Sequence, residues 1–196
     1  MMSGQGILIV LSGPSGVGKG AVSRALLGES TDLVCSISAT TRLPRKGEVN
    51  GKSYYFFSRQ EFRKMIDRQE LLEWAEVYGN FYGTPRVFVE NALSEGRDVL
   101  LEIDVQGGLQ VKQMIPAAVL VFLFPPSRAE LQSRLLKRAS ESLAEMEKRL
   151  KWAEQELKML SRYDYAVVND RVENAVWRIQ SILEAEKCRT WRFKNC

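Results

Sequence analysis

Five apolar runs punctuate the chain: "ILIVLS" at 7–12, "VCSIS" at 34–38, "DVLLEID" at 98–104, "AVLVFLF" at 118–124 and "YAVVN" at 165–169. Each is nearly unbroken, as strands buried on both faces require, and helical periodicity fills most of the intervals. This rhythm predicts an α/β fold with a central parallel sheet covered by helices. Between Thr40 and about Arg86 the pattern changes. "RKGEVNGKSYYFF" combines an Asn-Gly turn with aromatic β formers, and a short helix pattern and "LLEWAEVYGNFYG" follow. A small, mainly antiparallel insertion is expected there. From Pro126 to about Leu160 the chain is highly charged and helical, with a break in period near Ala139 to Leu143 that divides it into two helices. A last helix is expected after Asp170, with Val172, Val176, Ile179 and Leu183 spaced to pack on the sheet. No internal repeat or low-complexity segment interrupts this order.

The first run leads into "GPSGVGKG", a glycine-rich turn followed by a helix. Gly13, Gly16 and Gly18 allow successive backbone N–H groups to turn toward phosphate oxygens, and the helix N-terminus adds positive potential. Lys19 stands where a lysine reaches the β/γ-phosphates. The candidate nucleotide cradle is therefore Gly13, Pro14, Ser15, Gly16, Val17, Gly18, Lys19 and Gly20. The hydroxyl residue that ordinarily follows the lysine and touches magnesium is missing, because Gly20 and then Ala21 stand there. Magnesium keeps several waters and needs few protein ligands when phosphates supply oxygens. Glu102 and Asp104, ending the "LLEID" strand, are placed to hold that water shell, although either could simply cap the next helix.

Composition narrows the chemistry. The 196 residues suit one globular unit, and the formal charge of +4 favours an anionic ligand without specifying it. There is no histidine, which excludes histidine-based triads and His-ligated metals, so catalysis must use carboxylates, cations and backbone dipoles. Cys35, Cys188 and Cys196 lack metal-ligand spacing and read as reduced thiols. No apolar run is long enough to span a membrane, and the first residues lack the features of a secretion signal, so a cytoplasmic protein is expected.

"GPSGVGKG", "SATTRLPRKGEVNGKSYYF", "LLEWAEVYGNFYGT", "LEIDVQGG" and "VVND", in this order and spacing, resemble guanylate kinase along nearly the whole chain. The resemblance implies a P-loop NTPase three-layer fold with a core (1–37, 87–125 and 161–196), a GMP-binding insertion of mixed antiparallel strands (38–86) and a helical lid (126–160). It implies transfer of the ATP γ-phosphate to GMP or dGMP with magnesium as cofactor. By position in its motifs, Arg42, Arg45, Tyr54 and Tyr82 would grip the monophosphate. Glu73 would read the guanine N1–H and amino group, Ser38 and Thr84 would favour its O6, and Asp104 would lie near the amino group and ribose. Asn169 matches a position beside the donor adenine, with helix capping as its other reading, for which Asp170 is better suited. A phosphate monoester is already largely ionised at neutral pH, its second pKa being about 6, so the attacking oxygen needs no histidine as base.

Arg134, Arg138 and Arg149 match lid arginines that reach the transferring phosphate. The chain departs from the family where "RASES" replaces the usual glycine-threonine-acid turn, with Ala139 in place of the flexible residue, and where Ala21 replaces a hydroxyl residue. Two rivals stand beside the kinase reading. One is a phosphopeptide-binding module using the same Arg42, Arg45 and Tyr54 clamp, which would have no use for Lys19. The other is a kinase for a different acceptor, such as a phosphorylated sugar, which would not need Glu73 with Ser38 and Thr84. No nucleic-acid polymer or membrane partner is expected. The assembly expected is a monomer or weak homodimer, with "VFLFPP" as a strand edge and the basic "CRTWRFKNC" tail as candidate contacts, which an ordinary core strand and a frayed tail explain equally well.

Overall fold

The computed structural model describes residues 6–137 and 143–193, and the side chains of all of these except 135–149. Five parallel strands form the central sheet: β1 (Leu8–Ser12), β2 (Leu33–Cys35), β7 (Asp98–Glu102), β8 (Val119–Phe124) and β9 (Tyr165–Val168), in the order β2-β7-β1-β8-β9. They coincide with the five apolar runs. Alternate side chains feed two cores. Ile9, Leu11, Leu100, Val121 and Leu123 pack with Leu26 of α1 (Lys19–Glu29) and Ile179 of α7 (Val172–Lys187). Leu8, Val10, Val99, Leu101 and Leu120 pack on the other face with Val89 of α3 (Arg86–Ser94) and Val111 of α4 (Val105–Met114). Burial on both faces is why β1, β7 and β8 carry no polar alternation, whereas β9, at the edge of the sheet, leaves Ala166 and Val168 exposed.

A second sheet of order β4-β3-β6-β5 occupies the insertion, built from β3 (Ala39–Thr40), β4 (Tyr55–Phe56), β5 (Leu71–Val77) and β6 (Asn80–Pro85). Its β3/β6 and β5/β6 pairs are antiparallel, as the sequence predicts, but β3 and β4 run parallel. The expected short helix is α2 (Arg59–Asp67), opened by a capping box between Ser58 and Glu61. A register shift between Leu71 and Glu73 marks a bulge in β5. It lets Leu71 pack with Phe62 of α2 and Phe81 of β6 while Leu72 joins the main core.

The charged stretch forms α5 (Arg128–Lys137) and α6 (Leu143–Leu157), which meet through Leu131, Leu150 and Ala153. Ala139, whose replacement of the flexible residue was noted above, lies outside the described residues. One expectation is corrected. The cap of α7 is Arg171, not Asp170. The Asp170 carboxylate instead accepts from Asn174 Nδ2 (3.0 Å) and Arg178 (3.1 Å), side chains one and two turns along the helix. Of the two readings of "VFLF", the ordinary core strand holds, because β8 is paired on both sides by β1 and β9. No helix among the described residues is long and apolar enough to cross a membrane.

Candidate active site

The C-terminal ends of the parallel strands face the small sheet and α6 across a cleft of about 690 Å³. Its walls include Ser15 and Lys19 from the phosphate loop, Ser38, Arg45, Tyr54, Glu73 and Tyr82 from the insertion, and Glu102 and Asp104 from the end of β7. A second cleft, about 580 Å³, lies beside Lys112, Asp164, Glu186 and Trp191. It contains none of the candidate residues, and its charges are paired as Lys112–Asp164 and Arg189–Glu186.

The loop between β1 and α1 has left-handed backbone at Gly16 (φ 84°) and Gly18 (φ 102°), conformations that favour glycine. At Gly13 a side chain would collide with the Leu123 carbonyl, 2.3 Å from the position of its β-carbon. Lys19 Nζ folds over the loop to donate to the Gly13 (2.5 Å) and Pro14 (3.5 Å) carbonyls. The ammonium is thus held against the loop at the cleft wall.

Two candidate residues act on the outside of this loop. Asn169, only 4% exposed, donates from Nδ2 to the Val17 carbonyl at 2.8 Å. It neither caps a helix nor lines the cleft; it ties the loop to the end of β9. Arg134 donates to the Val17 (3.1 Å) and Asn169 (3.2 Å) carbonyls and pairs with Glu130 at 2.8 Å, so its guanidinium buttresses the loop. It does not line the cleft. Arg138 lies outside the described residues, as does the side chain of Arg149.

Glu73 is a buried carboxylate on the insertion side of the cleft. It is 4% exposed, and Thr84, opposite it across the β5/β6 pair, donates its hydroxyl to Glu73 Oε1 at 2.6 Å. Burial pushes the Glu73 pKa from its ordinary value up to about 8; the Thr84 hydrogen bond opposes this and the nearby Asp104 charge adds to it. Thr84, itself fully buried, serves Glu73 rather than the cleft surface. Trp74, not Glu73, is the exposed residue of this pair. The carboxylate has room only because Gly107 in α4 lacks a side chain: a β-carbon there would stand 2.4 Å from Glu73 Oε2. Gln110 of the same helix holds the Trp74 backbone, accepting at 3.3 Å and donating at 2.9 Å.

Asp104 caps α4, with Oδ1 accepting from the Gln106 (2.7 Å) and Gly107 (3.2 Å) N–H groups, and still lines the cleft. Capping and a place in the site are therefore not alternatives. Glu102 borders the space left by the missing hydroxyl. Its Oε1 lies 3.4 Å from where a β-carbon on Gly20 would be.

Arg42 makes a bidentate pair with Glu48 at 2.8 and 2.9 Å, and its guanidinium lies 5.3 Å from the Tyr54 ring centroid. Glu48 also accepts from the Arg45 N–H at 2.7 Å. Sequence reasoning missed Glu48, which shapes the loop carrying both arginines; an acid within one turn of two arginines was the available signal. It also missed Gly107, visible only as a glycine in "DVQGG". Tyr54 and Tyr82 stand edge to face, with ring centroids 6.1 Å apart.

The guanylate kinase family model matches residues 5–186. The guanylate kinase of Caldanaerobacter subterraneus subsp. tengcongensis is 53% identical over 97% of this chain and 93% of its own length. That of Syntrophomonas wolfei is 53% identical over 96% of each. The crystal structure of guanylate kinase from Anaplasma phagocytophilum superposes with a TM-score of 0.83 at 39% identity, covering 96% of this chain and 90% of that one. A lysine-bearing phosphate loop facing a buried carboxylate across one cleft, on a matched sequence of this extent, means that the chain belongs to the guanylate kinase family.

Proposed function

We propose that this chain transfers the γ-phosphoryl group of ATP to GMP or dGMP, giving ADP and GDP, with 38–86 binding the acceptor and 126–160 acting as the lid. The observation that carries this reading is the placement of Lys19 and Glu73 on the walls of one cleft. A phosphopeptide-binding module would need no intact lysine loop, and a sugar kinase no buried carboxylate backed by a threonine.

An oxygen of the GMP phosphate attacks the γ-phosphorus as the bond to the β,γ-bridging oxygen breaks, and ADP leaves with that electron pair. The nucleophile is ionised before it binds, so the protein supplies position and charge rather than a base. Lys19 leaves the loop carbonyls for the β/γ-phosphates and follows the charge that moves to ADP. Arg42, Arg45, Tyr54 and Tyr82 hold the acceptor phosphate, with Glu48 fixing Arg42 beforehand so that less side-chain freedom is lost on binding. Ionised Glu73 accepts from guanine N1–H and the amino group together. Adenine has no such pair of donors on that edge and leaves a buried acceptor unmatched.

The donor set suits magnesium held mainly by phosphate oxygens and water, because two cleft carboxylates adjoin the loop and no group of three or more candidate ligands occurs among the described residues. When bound with ATP, magnesium would neutralise phosphate charge, with Glu102 and Asp104 holding its water. Replacing Lys19 separates the two subsites: Lys19→Ala should lower turnover by about a hundredfold or more while leaving GMP affinity nearly unchanged. A parallel loss of GMP affinity in calorimetry would contradict this assignment.

A further inference from the structure

The phosphate loop already faces a carboxyl group, and that group belongs to the protein. Glu156, near the end of α6, lines the cleft together with Ser15 and Lys19. Burial raises its pKa to about 7, while the Lys19 ammonium and the backbone N–H of Ser15 act in the opposite direction, favouring the carboxylate. Its Oε2 is buried without a hydrogen-bond partner, a placement that costs stability where an ordinary surface glutamate would not. One turn earlier on the same helix, Trp152 packs on Tyr78 at the tip of the small sheet, with ring centroids 5.7 Å apart. Residues four apart share a helix face, so one face of α6 contacts both the acceptor lobe and the phosphate loop.

We propose that Glu156 is an internal stand-in for donor phosphate: in the nucleotide-free enzyme its carboxylate occupies the approach to the loop N–H groups and Lys19, and it must withdraw when ATP binds. This rests on the reading of the loop as the donor site. A loop that gathers N–H groups and an ammonium attracts any anion in reach. The same groups do not serve a carboxylate and a polyphosphate at once, and two anions in a desolvated cleft repel. ATP therefore competes with the lid's own side chain, and its apparent affinity falls by the fraction of molecules in which Glu156 is docked. Docking also keeps Lys19 and the loop ordered beneath α6 until nucleotide arrives. Glu156 is thus a positioning residue whose withdrawal frees the loop and Lys19 for the phosphates.

The test is calorimetric titration of ATP, with EDTA present and no acceptor, into the wild-type protein, Glu156→Gln and Glu156→Ala. Both variants should bind ATP more tightly, by about threefold or more. In steady-state kinetics the KM for ATP should fall while that for GMP stays unchanged. A merely structural glutamate would lower thermal stability without tightening ATP. Equal or weaker ATP binding by both variants overturns the proposal, and the glutamine variant alone decides if the alanine variant does not fold. Absence of ATP binding by all three proteins would overturn the donor-site reading as well, whereas equal binding by all three would overturn only the role of Glu156.

Discussion

Glu73 Oε2 lies where only a glycine at position 107 leaves space, 2.4 Å from the point a β-carbon would occupy. The candidate base-reading carboxylate is therefore shaped by a helix of the core as well as by its own sheet. Alanine is the better helix former by up to about 1 kcal/mol, so a purely local argument makes Gly107→Ala stabilising. We expect the opposite ranking for function. Displaced Glu73 should raise the KM for GMP by about tenfold or more with little change in ATP binding, and thermal unfolding should move only slightly as propensity and crowding offset. Steady-state kinetics with each substrate varied in turn, beside a melting curve, checks this.

Glu73 itself predicts a proton linkage. In the nucleotide-free protein burial raises its pKa from an ordinary 4.5 to about 8. The native state thus holds a proton that the unfolded chain releases. This contribution to stability is fully present below about pH 4.5 and is lost as pH rises through 8. Guanine presents two donors and needs the ionised form, so GMP binding should expel the proton. Between pH 7 and 8.5, above the titration of the GMP phosphate, we expect GMP affinity in calorimetry to rise several-fold for the wild-type protein. Glu73→Gln should abolish that slope and reduce selectivity for GMP over AMP by about tenfold or more, as for an unmatched buried contact.

Much of this was legible in the chain. The central strands β1, β7 and β8 follow from apolar runs, because parallel strands buried on both faces leave an unbroken signature, and the shorter runs of β2 and β9 extend the same rhythm to the sheet edges. The phosphate loop was legible because glycine spacing before a lysine has few other uses. Glu73 and the arginines were legible only through family resemblance, since an acid beside a tryptophan in a strand reads equally as solvent-facing. The burial of Glu73 comes from its place facing Thr84 and the gap left by Gly107, contacts between distant segments that carry no local marker. Asn169 and Arg134 both grip the Val17 carbonyl, a support of the loop that no motif announces. A side chain that supports a loop from behind and one that lines its front have the same sequence signature.

Glu48 offers a test of preorganisation. It pairs with Arg42 and accepts from the Arg45 backbone, and the two side chains of the pair are 14% and 21% exposed. Its pKa is lowered, chiefly by the Arg42 hydrogen bond. Glu48→Gln keeps the shape but weakens the hold, and should raise the KM for GMP by about three- to tenfold with a smaller change in kcat. Equal losses with GMP and ATP would point to general unfolding instead.

Gly20 bears on the metal. Glu102 occupies the neighbouring space, and the 3.4 Å contacts to Glu102 and Arg24 leave room for a small side chain with slight adjustment. Gly20→Ser would restore a hydroxyl beside that carboxylate. We expect turnover to be abolished by EDTA in both proteins and half-maximal magnesium to fall about threefold in the variant. Unchanged magnesium dependence would mean that Glu102 and water already complete the arrangement.

The central claim is that the cleft is a phosphotransfer site selective for guanine. ADP release should be followed with ATP and magnesium while GMP, dGMP, AMP, CMP and UMP are offered in turn. The account predicts turnover with GMP and dGMP and background rates with the other three. Comparable turnover with AMP would contradict the role of Glu73, and no turnover with any acceptor while GMP still binds would contradict the kinase itself.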